Sequence, residues 1–143
     1  MDRVEIKERF NIRAEWYLLY RDGREEPLGP NAIVDLDFVG ASIAEMATPY
    51  LVVGDDGDAG NTITEVFRKA VSNVIQSGGL IRFRTQLLGN EGNGDHKKLS
   101  IFRGATGVPG SGTMFNLLRI NWSKAAGVIL TVECRITVQE VAA

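Results

Sequence analysis

The sequence predicts a mainly β fold, an antiparallel β-sandwich or barrel of about eight or nine strands with one short helix. Three observations predict it. From Gly127 to Gln139 apolar and polar residues alternate almost without fault: Val128, Leu130, Val132, Cys134, Ile136 and Val138 against Thr131, Glu133, Arg135, Thr137 and Gln139. A period of two places these sets on opposite faces of a half-buried strand. The same alternation recurs in shorter runs along the chain, and sixteen glycines against four prolines supply the turns between them.

Residues 1–10 are charged, with Val4, Ile6 and Phe10 spaced through them, which reads as an edge strand or an arm that orders against a neighbour. We divide the chain into an N-terminal arm, 1–12, and one β-sandwich domain, 13–143. Ile12, Ala14, Trp16, Leu18 and Tyr20 alternate with Arg13, Glu15 and Tyr17. Asp22-Gly23 then suits a turn that needs positive φ. A strand pair over 11–21 and 24–29 follows, ended by Pro27 and Pro30. Leu36, Val39, Ile43 and Ala47 have helical spacing behind Asp35, a fitting N-cap, and Pro49 stops the helix, so 36–47 is the predicted helix. Tyr50 to Val53 is a short apolar strand closed by Gly54.

Residues 62–76 carry two conflicting signals. Ile63, Val66, Phe67, Ala70, Val71, Val74 and Ile75 fit a helical template, and Thr62 with Glu65 forms a capping box. Yet Ser77-Gly78-Gly79 is a hairpin-type turn leading into the alternating strand 80–88, which needs an antiparallel partner. The reading adopted is a helical turn at 62–67 followed by a strand over 69–76. A polar loop, 89–98, precedes a strand at 98–103. A glycine-rich loop, 104–113, leads to a strand at 113–122, and Ser123 to Ala126 turn the chain into the terminal strand.

At 143 residues the chain has the size of one domain, able to bury about 70% of its unfolded surface. A net charge of −2 leaves no basic excess to neutralise phosphates, so no nucleic-acid partner is expected. No apolar run approaches the roughly 20 residues that cross a bilayer, and the charged first ten residues do not read as a secretory signal. No membrane partner is expected. The lone Cys134, on an apolar strand face, reads as a small core hydrophobe and suits a reducing cytoplasm.

Candidate chemistry is sparse. Asp55-Asp56-Gly57-Asp58 clusters carboxylates as a calcium loop does, but EF-hand spacing fails from every starting aspartate. Gly110-Ser111-Gly112-Thr113 lacks the lysine of a phosphate loop. His96, beside Asp95 and Lys97, reads as a surface histidine. With Asp95 and Ser111 it has the residue types of a hydrolase triad, but no nucleophile-elbow pattern surrounds the serine. We therefore expect no enzyme, no catalytic residue, no metal and no cofactor. Trp16, Trp122, Phe83, Phe102 and Phe115 read as core. Arg82 and Arg84, on the polar face of one strand, read as ordinary solvated residues or, less often, interface anchors.

The order of several short motifs resembles that of small virion structural proteins of tailed bacteriophages. Trp16-Tyr17-Leu18 and Asp22-Gly23 lead to Asn31-Ala32-Ile33-Val34-Asp35. Tyr50-Leu51-Val52-Val53-Gly54 follows, then Glu65-Val66-Phe67-Arg68, a hairpin over 69–88, Gly112 to Asn116, Lys124 and a last strand of alternating Thr and Val. The resemblance spans about residues 14–140. The chain departs from it at Leu99 to Gly104, where the group tends to show Glu-x-Gly-Leu-Phe. The resemblance implies a non-enzymatic building block of the head exterior, neck, collar or tail, present as a homo-oligomer in contact with other virion proteins and assembled in the host cytoplasm. A tail-tip or fibre-attachment module touching the host surface is the alternative, and a small hydrolase a remote one. In this group the segment after Arg68 looks like a β-hairpin arm. Glu65 and Arg68 would then be structural, pairing with each other or bracing neighbouring loops. The arm 1–12 and loop 104–113 are the candidate intersubunit contacts.

Overall fold

In a computed structural model, which describes residues 9–34 and 40–141, the chain forms two antiparallel sheets packed face to face. Eleven strands are present among the described residues: β1 Arg9–Tyr20, β2 Glu25–Pro30, β3 Ala32–Ile33, β4 Tyr50–Gly54, β5 Glu65–Ala70, β6 Asn73–Ser77, β7 Leu80–Leu87, β8 Gly94–Arg103, β9 Thr113–Met114, β10 Asn116–Lys124 and β11 Leu130–Val141. One sheet has the order β2-β1-β11-β7-β6 and the other β3-β10-β8-β4-β5, with β9 paired to β8. The sandwich reading of the sequence is the fold observed.

β1 and β11 form the longest ladder, continuous from Arg9↔Val141 to Tyr20↔Leu130. Alternation decides what it buries. Ala14, Trp16 and Leu18 of β1 face inward with Val132, Cys134 and Ile136 of β11, and Ile81, Phe83 and Leu87 of β7 extend that face. Leu51, Val53, Leu99, Ile101 and Leu118 of the second sheet meet them. Each such side chain contributes about 1.5–3 kcal/mol by leaving water. Burial also pushes the Cys134 thiol well above its ordinary value. A polar stitch crosses the layers: Trp16 Nε1 donates to Asn31 Oδ1 at 2.5 Å, and Asn116 Nδ2 donates to the same oxygen and to Cys134 Sγ, both at 3.4 Å. Asn116 Oδ1 accepts the Ile101 amide at 2.8 Å, completing the hydrogen bonding where β9 gives way to β10.

The structure corrects several expectations. The helical turn at 62–67 does not form. β5 pairs with β4 in one sheet, Val71-Ser72 cross between layers, and β6 pairs with β7 in the other. Phe67 and Val71 pack against the main core, while Val66 and Val74 are exposed. The apolar residues thus serve two separate strands, which β-branched side chains favour. Of the predicted helix 36–47, the described part is a 3-10 turn, Gly40–Glu45, whose Ile43 is fully buried; Asp35, Leu36 and Val39 lie outside the described residues. Arg9 to Ile12 belong to β1, so the sheet reaches into the segment read as an arm, and residues 1–8 lie outside the described residues. Pro27 does not end β2 but sits within it, as an edge strand allows. Phe102 belongs to a second cluster with Val52 and Ala105, on the opposite face of its sheet from the main core.

Arg84 is no ordinary solvated residue. Glu133, one position out of phase with the buried Val132 and Cys134, points away from the core yet is fully covered. Arg84 Nε donates to its Oε1 at 2.5 Å, and Arg135 Nε donates to its Oε2. The Arg135 guanidinium lies 3.8 Å above the Tyr17 ring and also pairs with Glu25. Arg82 Nε, by contrast, is buried without a hydrogen-bond partner. Removing one member of a covered charge set strands the others. Glu133→Ala should therefore lower unfolding free energy by about 3 kcal/mol, measured by urea denaturation, with the Arg84→Met/Glu133→Leu pair costing less than Glu133→Ala alone.

Candidate docking site

Arg68 and Glu65 meet because both lie on β5, three residues apart, where the ladder with β4 slips register between Val53 and Gly54. Arg68 Nε donates to Glu65 Oε2 at 2.5 Å and Nη2 to Oε1 at 2.8 Å, a two-pronged match of planar groups. The Arg68 side chain is only 3% exposed. Its remaining nitrogen, Nη1, donates to the Thr106 carbonyl, the Ser111 carbonyl and Ser111 Oγ at 2.9–3.1 Å. Glu65 Oε1 in turn accepts the Gly110 amide at 3.1 Å. The guanidinium also lies 5.5 Å from the centre of the Phe102 ring and 5.8 Å from that of Tyr50. The pair thus binds itself and braces the glycine-rich loop.

That loop is held from inside as well. Ser111 Oγ accepts the Thr106 amide at 2.9 Å and donates to the Val108 carbonyl at 2.7 Å. At its base, Gly104 and Ala105 donate to the carbonyls of Ala47 and Thr48. Thr48 sits at φ 36°, an uncommon state for a β-branched residue. Gly112 has no substitute: at φ 86° a Cβ there would come within 2.7 Å of the Arg103 carbonyl and 2.8 Å of Ala105 Cβ. The tip carries Val108, 65% exposed, followed by exposed Pro109. A loop this well tied loses little freedom when a partner binds it.

Beside the main core a second polar network forms around the acidic loop. His96 is not a surface histidine; it is 4% exposed, with Nδ1 2.7 Å from Asp55 Oδ1 and Nε2 2.7 Å from the Gly92 carbonyl. Both partners accept, so a neutral ring donates to one of them and an imidazolium to both. Trp122 tilts against the ring with 4.8 Å between centres. Two positions on, Lys98 is 1% exposed, and its Nζ donates to Asp56 Oδ2 and to the Thr62 carbonyl, each at 2.6 Å. Asp56 Oδ1 accepts the Thr64 amide at 2.7 Å, and Asp58 Oδ1 accepts the Gly60 amide at 2.8 Å. The carboxylates of the acidic loop are thus engaged with His96, Lys98 and their own turn. Among the described residues no cluster of three or more His, Cys, Asp or Glu has metal-holding geometry.

Asp95, His96 and Ser111 do not converge: His96 uses both nitrogens on Asp55 and Gly92, and Ser111 is tied to Arg68, Thr106 and Val108. Two shallow cavities of about 410 and 270 Å³ share Lys97 and Asn121, along the β8–β10 pair where register slips between Arg119 and Trp122. Sequence reasoning missed the His96 and Lys98 latch. Its signal was complementary charge, Asp-Asp-Gly-Asp facing Asp-His-Lys-Lys, with His96 and Lys98 in phase on one strand face. Compared with models of known protein families, with curated proteins and with solved structures, the chain matches none.

Two outcomes follow from these ties. Arg68→Ala leaves Glu65 without its counter-charge and should cost about 3 kcal/mol while exposing the 104–112 loop to limited proteolysis. The hydrogen bond from Arg68 holds the Glu65 carboxyl below its ordinary value, and that from Lys98, with the Thr64 amide, does the same for Asp56. A depressed carboxyl contributes its full stability above the ordinary carboxylate range and loses it as pH falls through the folded-state value. The urea midpoint should therefore fall on acidification through and below that range, and fall less steeply in Glu65→Gln.

Proposed function

We propose that this chain is a non-enzymatic structural component of a tailed-bacteriophage virion, assembled in the host cytoplasm onto the capsid exterior or neck/collar through protein–protein contacts. The observation that carries the reading is the loop 104–112: an apolar tip, Val108-Pro109, held on a rigid sandwich by the shielded Glu65–Arg68 pair. Loops positioned by a rigid scaffold are where binding function gathers, and an anchor fixed in advance costs less entropy to dock. The motif order adds support. Tyr50 to Gly54 is β4, Glu65 to Arg68 opens β5, and Gly112 to Asn116 spans β9, so each of these three motifs lies at or beside the brace. Loop 104–112 is the contact to another virion protein, and the chain acts in several copies.

Mass spectrometry and antibody labelling of purified particles test the reading. The wild-type chain should be a stoichiometric particle component, and Val108→Asp, exposed and so without effect on stability, should reduce incorporation by about tenfold or more. A chain missing from particles, or full incorporation of Val108→Asp, would refute it.

A further inference from the structure

We propose that β6 is the strand through which two copies of this chain pair, antiparallel about a two-fold axis, so that their β2-β1-β11-β7-β6 sheets join into one. A sheet edge presents unpaired amides and carbonyls, and proteins blunt such edges with proline, bulges, charge or brevity. Three of the four edges here are blunted. β2 carries Pro27 and Pro30 and slips register against β1; β3 is two residues long; β5 carries Glu65, Arg68 and Lys69 and slips register against β4. Within its own five residues β6 has none of these devices; the pairing of Ser72 with the Arg84 carbonyl that Asn73 also faces lies just outside it. Asn73, Val74, Ile75, Gln76 and Ser77 hold no charge and no proline, and the strand pairs with β7 without a register shift.

Register shows which groups face outward. Ser77 and Leu80 flank the two-residue turn Gly78-Gly79, with Gly78 at φ 60°. The pair closing such a hairpin is hydrogen-bonded, and bonded pairs alternate along the ladder. Ser77 and Ile75 therefore direct their amides to β7, whereas Val74 and Gln76 direct theirs away from the sheet. Both residues are exposed, Val74 to 37%. A second copy suits this edge because a two-fold axis sets like against like, and a neutral strand meets no like charge in doing so. Five residues of edge bury less than the roughly 1,200 Å² of a stable interface, so the pairing should be weak, with a Kd on the order of 100 μM.

The inference names the copy-to-copy contact of the building block proposed above, separate from the loop that meets other proteins. Hydrogen exchange and sedimentation of the full chain test it together. Raising the concentration from about 10 μM to about 1 mM should bring in a dimer and slow exchange at the Val74 and Gln76 amides by about fourfold. Val74→Lys and, independently, Gln76→Lys should abolish both effects while leaving circular dichroism unchanged. A chain monomeric at every concentration, a dimer that leaves those two amides unprotected, or a dimer indifferent to both lysines would overturn it. A β6 dimer absent from particles would refute the virion reading alone, and a monomer that enters particles would refute this one alone.

Discussion

The ladder between β1 and β11 is the constraint on which the rest depends. Its twelve residue pairs fix one register, and slipping that register by one residue would turn every inward side chain of β11 outward. With that face set, Trp16 and Cys134 come opposite each other, and the second sheet has one apolar surface to cover. The same register dictates the far side of the sheet. Tyr17, Glu133 and Arg84 occupy one row across three strands, and so a carboxylate can disappear beneath two guanidiniums on a face that alternation assigns to solvent.

Much of this was legible in the residues. Alternation is a local property, and where one sheet face is dry it survives into the structure: β1, β7 and β11 fall along Ile12 to Tyr20, Leu80 to Leu88 and Gly127 to Gln139, although β11 begins only at Leu130 and leaves Val128 exposed. Segment 62–76 was not legible because its periodicity has another cause. Phe67 of β5 and Val71 of the linker reach the main core, while Ile63, just before β5, packs against the second cluster on the other face, so apolar residues recur at spacings that a helix would share. The Thr62–Glu65 capping signal also has another explanation, since Glu65 is occupied by Arg68 and Gly110.

The polar networks were the least visible part, because they join residues distant in sequence. Arg68 and Ser111 are forty-three positions apart, and Asp55 and His96 forty-one. The types were on view in both cases. What the chain cannot show by spacing is that a hairpin loop folds back over the outer face of its own sheet, covering Lys98 and His96 and turning residues of exposed kinds into sealed ones. The pairing of Glu65 with Arg68 was the exception, since both sit on one strand three residues apart.

The path of the chain between layers has a mechanical side. Among the described residues it passes from one sheet to the other four times, and two passages use one and two residues: Asn31 between β2 and β3, and Val71-Ser72 between β5 and β6. Linkers so short have almost no slack, since a residue spans at most about 3.6 Å. Sliding one layer past the other would stretch covalent backbone long before it broke a ladder, so shear between the layers is resisted by peptide bonds at two corners of the molecule.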